Sequence, residues 1–133
     1  MAALKDNAIT LLNSTAAVDF NGAPDAETAL YTVPVGKTCI VTHLVIRTLS
    51  ADALLTVVTF GKTGGTCDEL RGNQILSGLD GVTKYTTIYL DQGTNDTPEA
   101  AVMFAAGDVL GVEITTAAGA GCTATIDAFG YEF

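Results

Sequence analysis

Between Leu30 and Phe133 the chain is cut by turn signals into short segments that either alternate or run apolar. Leu30-Tyr31-Thr32-Val33 predicts a strand closed by the turn Pro34-Val35-Gly36-Lys37. Thr38 to Leu49, rich in Ile, Val and Thr, predicts a long one. Strict alternation sets Ile40, Thr42, Leu44 and Ile46 on one face and Cys39, Val41, His43, Val45 and Arg47 on the other. Neither face is fully polar, so this strand is expected to be covered on both sides.

Further strands are expected over Leu54 to Phe60, weakly over Gln74 to Leu76, and over Lys84 to Leu90. Val102 to Phe104 leads into the turn Ala105-Ala106-Gly107-Asp108. Val109 to Thr115 then sets Leu110, Val112 and Ile114 on one face, and Cys122 to Phe133 closes the chain. No segment places apolar residues at helical spacing over three turns. The polar connections 62–73 and 91–99 are about ten residues long, more than a simple hairpin needs. They suit crossings between two sheets. The expected fold is therefore all-β, an antiparallel jelly-roll β-sandwich of about eight strands. Residues 1–26, rich in Ala, Asn, Ser and Asp, are expected to be an N-terminal arm, and residues 27–133 the domain.

Composition sharpens this picture. Hydrophobic residues make up 48% of 133 and charged residues 16%, yet no apolar run approaches the roughly 18 residues that cross a bilayer. The excess must be buried in a core or between subunits, which points to a homo-oligomer and away from a membrane. Six Lys and Arg against 15 Asp and Glu give a net charge of −9, which disfavours nucleic acid as a partner. No secretion signal is expected at Met1-Ala2-Ala3-Leu4-Lys5.

Candidate chemistry is sparse. A cupin-type metal centre needs several histidines, and the chain has one, His43, set among Val and Ile. Cys39 lies about 13 Å along the same expected face, too far to pair with it. Glu113 and Asp127 are candidate paired carboxylates of the glycosidase kind, with no Trp to line a sugar cleft. Asp91-Gln92-Gly93-Thr94-Asn95-Asp96 offers oxygen donors of the sort Ca²⁺ prefers but does not match an EF-hand loop. Gly61-Lys62-Thr63-Gly64-Gly65 lacks the order of a phosphate loop. Of the three cysteines, Cys39 and Cys122 read as small hydrophobes in strands, and Cys67, in a Gly-rich loop, as the one to expect reactive. No catalytic, cofactor-binding or metal-ligating residue is assigned, no cofactor is expected, and the expected role is non-enzymatic.

Two blocks carry a resemblance. Tyr31-Thr32-Val33-Pro34-Val35-Gly36-Lys37-Thr38 with Ile40 to Arg47, and Phe104 to Val112 with Phe129-Gly130-Tyr131-Glu132-Phe133, resemble the opening and close of small phage-encoded virion proteins of the capsid-decoration or head-fibre type. The closing block also looks like trimeric jelly rolls of the tumour-necrosis-factor type. That resemblance implies a homotrimer with Phe129, Tyr131 and Phe133 in the core or near an inter-subunit axis. It further implies a major capsid protein or other virion protein as partner and a place on the virion, after assembly in the bacterial cytoplasm. The alternative is a carbohydrate- or receptor-binding β-sandwich that uses loops 62–73 and 91–99.

Overall fold

The computed structural model describes residues 8–89 and 103–133, so the connection 91–99 lies outside the described residues. Among these there is no helix, and none long and apolar enough to cross a membrane. The strands are β1 (Thr10–Asp19), β2 (Ala26–Thr32), β3 (Cys39–Arg47), β4 (Val57–Lys62), β5 (Arg71–Ile75), β6 (Thr86–Tyr89), β7 (Met103–Phe104), β8 (Val109–Thr116) and β9 (Thr123–Glu132). They form two antiparallel sheets. One runs β1-β9-β3-β6, with β7 also paired to β3, and the other runs β2-β8-β4-β5.

The inner faces of the two sheets meet in one core. Leu44, Ile46, Ile126 and Ala128 come from the first sheet, and Val58, Phe60, Leu110, Val112 and Ile114 from the second. Phe20, Leu30 and Phe104 fill the space between them. On β8 the expected alternation holds: Leu110, Val112 and Ile114 are buried.

On β3 it does not. The ladder to β9 slips between Val41 and His43. A bulge of this kind adds one residue and reverses the facing of everything beyond it. Cys39 and Val41 are therefore buried together with Leu44 and Ile46, while Ile40, His43, Val45 and Arg47 turn outward. Gly130 stands opposite Val41, and a Cβ there would collide with the carbonyl oxygen of Ile40. Only glycine lets β9 approach the bulge this closely.

Within the segment expected as an arm, Thr10–Asp19 forms β1. β1 pairs with β9 along its length, and Val18 and Phe20 are core residues. Its polar composition reflects an edge strand with few inward positions. Asn13 Nδ2 and Thr15 Oγ1 donate to the carbonyl of Leu30 at 2.7 and 3.2 Å. Leu30 sits where the β2–β8 ladder slips, so these side chains take up a carbonyl at the irregularity and clip the two sheets together. Residues 1–7 lie outside the described residues.

Candidate functional site

Two surfaces concentrate unusual side chains, one on the outer face of each sheet. On the five-stranded sheet the register lines up residues in rows. Tyr89, His43, Phe129 and Leu11 form one row across β6, β3, β9 and β1. Met103, Ile40 and Tyr131 form another. Ile9, Ile40, Tyr131 and Phe133 line an open, mostly apolar hollow of about 440 Å³. Ile9, Leu11, Tyr89, Met103 and Phe133 are each more than half exposed. Phe129, Tyr131 and Phe133 are thus not core aromatics. Ala124, Ile126 and Ala128 of the same strand take the inward positions.

His43 is half-buried in this face. Its ring stacks on Phe129 at 4.6 Å and 3°, with Tyr89 at 5.9 Å on a tilt. The Thr42 hydroxyl lies 2.9 Å from Nδ1 and 3.3 Å from the Phe129 carbonyl. Cys39 and His43 end up on opposite faces of β3, a consequence of the bulge, so they form no catalytic pair. Further along the face Arg47 Nε donates to Asp127 Oδ2 at 2.6 Å, and Ser14 Oγ donates to Oδ1 at 2.5 Å. The Arg47 hydrogen bond leads in holding the Asp127 carboxyl below its ordinary range, and Ser14 adds to it against the cost of burial. The same bond raises the pKa of Arg47.

Glu113 and Asp127 do not converge. Each faces outward, but on opposite sheets, with the core between them. A two-carboxylate mechanism built on this pair is excluded.

The outer face of the four-stranded sheet holds the second cluster. Glu27, Glu113 and Thr59 lie in one row across β2, β8 and β4. Next along that face, Gly61 pairs with Gly111. These two glycines open a window in the side-chain layer, and the β4–β5 connection folds down into it. A Cβ on Gly61 would strike Glu69, Asp68 and Cys67, and one on Gly111 would strike Thr63. Cys67, at a left-handed φ of 52°, thereby comes to lie against the sheet. Its Sγ and one carboxylate oxygen each from Glu27 and Glu113 lie within 4.8 Å of one another. Gly64 N–H donates to Glu27 Oε2 at 3.0 Å, and Lys62 N–H to Glu69 Oε2 at 2.9 Å.

Cys67, the thiol expected to be reactive, is fully buried. Burial, with Glu27, Glu113 and Glu69 adding to it, pushes the thiol up to about 12. Cys39, buried in the core, is pushed up to about 11. All three cysteines are free. Burial likewise raises the Glu113 carboxyl, followed by the charges of Asp25 and Glu27. Sequence reasoning singled out Glu113 and Cys67 but not their juxtaposition, because the members come from positions 27, 59, 67 and 113. The alternation Gly111-Val112-Glu113 against Thr59-Phe60-Gly61 is the one local trace of it.

No protein-family model matches the chain, and no curated protein matches it.

Proposed function

We propose that this chain is a non-enzymatic structural protein of a phage particle, a jelly-roll subunit that assembles with its own copies and decorates or stabilises the capsid. The observation that carries the reading is the outer face of the five-stranded sheet. Apolar patches on monomers are usually small, and a larger contiguous one marks an interaction surface. Here one row of aromatic and aliphatic side chains crosses four strands and a second crosses three, in a chain of net charge −9. Arg47 and Asp127 on this face neutralise each other. An ion pair closed within one copy adds no net charge to the approach of two acidic copies.

The finer topology fits the same reading. In the order β1-β9-β3-β6 over β2-β8-β4-β5, the first strand lies beside the last and the next pair nests inside it, as in a jelly roll. β6 and β7 both run along the free edge of β3, at His43–Ile46 and Cys39–Ile40, and count as one interrupted strand. On that count the nine strands among the described residues are compatible with the eight of a jelly roll. The virion role itself comes from the sequence resemblance of the two blocks around Tyr31–Arg47 and Phe104–Phe133.

Sedimentation velocity of the full chain tests the assembly. The expected species is a homotrimer, three times the 13.6 kDa chain mass. A monomer at all accessible concentrations overturns the reading. The particle role is tested by mass spectrometry of purified phage particles from cells that carry the gene: stoichiometric presence supports it, and absence from intact particles overturns it.

A further inference from the structure

We infer that Glu27, Cys67 and Glu113 form a binding site for one divalent transition-metal ion of the zinc class, on the outer face of the four-stranded sheet. The inference is independent of the virion reading. Three elements far apart in sequence, β2, the β4–β5 connection and β8, bring a thiol and two carboxylates within 4.8 Å of one another. Zinc binds Cys sulfur at about 2.3 Å and carboxylate oxygen at about 2.0–2.2 Å, which sets tetrahedral ligands roughly 3.3–3.7 Å apart. Small side-chain adjustments close that difference.

A second observation points into the same place. Thr59 stands directly across the β4–β8 ladder from Glu113, so its side chain lies on the same face. Residues so placed have Cβ atoms roughly 4.5–5.5 Å apart. Thr59 is 5% exposed, and its hydroxyl is buried with no hydrogen-bond partner. Buried hydroxyls without partners are rare and costly. An ion held by three protein ligands keeps a fourth position. A water in that position gives Thr59 Oγ1 the bond that the protein does not supply.

Charge argues the same way. Two carboxylates, Glu27 and Glu113, crowd negative charge around the Cys67 thiol. Lys62, the cation of the adjoining strand, is committed to Asp108 at 3.0 Å. A divalent ion relieves this repulsion. The mixed thiol and carboxylate set suits zinc rather than calcium or magnesium, which take oxygen ligands alone. On binding, the Cys67 thiol loses its proton to solvent and becomes a thiolate ligand, so uptake of the ion releases a proton. Glu27, the exposed member, marks the side from which the ion enters. Bound there, the ion pins the β4–β5 connection to the sheet.

The test uses the full chain, stripped with chelator and titrated with Co²⁺ as an optical probe and with Zn²⁺ by calorimetry. One ion per chain is expected, with a thiolate-to-cobalt charge-transfer absorption and a higher thermal midpoint in Zn²⁺. Cys67→Ser abolishes the absorption, and the control Cys122→Ser leaves it intact. Glu27→Gln and Glu113→Gln weaken Zn²⁺ binding by about tenfold or more, as does Thr59→Val by loss of an outer contact. Near-UV circular dichroism of each metal-free variant confirms its fold. Absence of the cobalt absorption overturns the assignment. So does Zn²⁺ binding that survives Cys67→Ser and Glu113→Gln undiminished, which marks diffuse association with an acidic surface.

Discussion

Arg47 reaches across the β3–β9 ladder and holds Asp127 through two hydrogen bonds, Nε to Oδ2 at 2.6 Å and Nη2 to Oδ1 at 3.3 Å. Asp127 is 8% exposed, so its charge depends on these bonds and on Ser14. Losing a buried charged hydrogen-bond partner costs about 1–3 kcal/mol, and Asp127→Asn is expected to destabilise the fold by that amount at pH 7. The folded pKa lies below the ordinary value of about 3.9. The contribution is therefore complete above that value and lost as pH falls through the depressed pKa. Urea midpoints of the two proteins should differ at pH 7 and converge in strong acid. Parallel curves across the whole range refute this.

The buried thiols set the alkaline side. Cys67 and Cys39 have folded pKa values raised to about 12 and about 11, while unfolded thiols ionise near 8.5. A raised thiol pKa contributes stability that is complete below the unfolded value and lost as pH rises toward the folded one. Stability should fall between about pH 8.5 and 12, and the fall should be shallower in Cys67→Ala. In metal-free protein at pH 8, none of the three thiols should react with a disulfide reagent faster than the chain unfolds.

Gly130 packs against the bulge with no room for a Cβ, since the nearest atoms belong to the backbone of Ile40 and Val41. Backbone cannot swing aside as a flexible side chain does. Gly130→Ala should therefore cost about 1–3 kcal/mol or more in chemical unfolding. Gly72→Ala, where a Cβ meets nothing within 4 Å, is the matched control and should change far less.

The two faces of β9 should respond oppositely. Ile126→Ala empties part of the core and should cost about 2–5 kcal/mol. Tyr131→Glu with Phe133→Glu should leave the fold measured by circular dichroism unchanged and convert the assembly to monomers in sedimentation velocity. A double variant that still assembles would remove the outer face as the contact between copies.

Much of the architecture was legible along the chain. Leu110, Val112 and Ile114 alternate cleanly because β8 is central and its ladder to β4 is regular beyond Val58. The turn at Pro34 to Lys37 announces itself through Gly36, which takes a φ of 79°. Of β1 only the start, in Ala8 to Leu12, reads as a short strand, since an edge strand whose Asn13 and Thr15 serve a carbonyl of the other sheet has no apolar stripe to display.

What the amino-acid order determined alone is the class of the molecule: strands without helices, bounded by turns, with more apolar surface than charge. These are local properties, set by side-chain size, branching and the period of the backbone. Which residue faces which neighbour was decided only in three dimensions. The bulge on β3 reverses Cys39 and His43, the glycine window at Gly61 and Gly111 draws Cys67 down onto the sheet, and Glu27, Thr59 and Glu113 meet in one row. Register depends on hydrogen bonds between strands tens of residues apart, and one slipped residue turns a core side chain into a surface one.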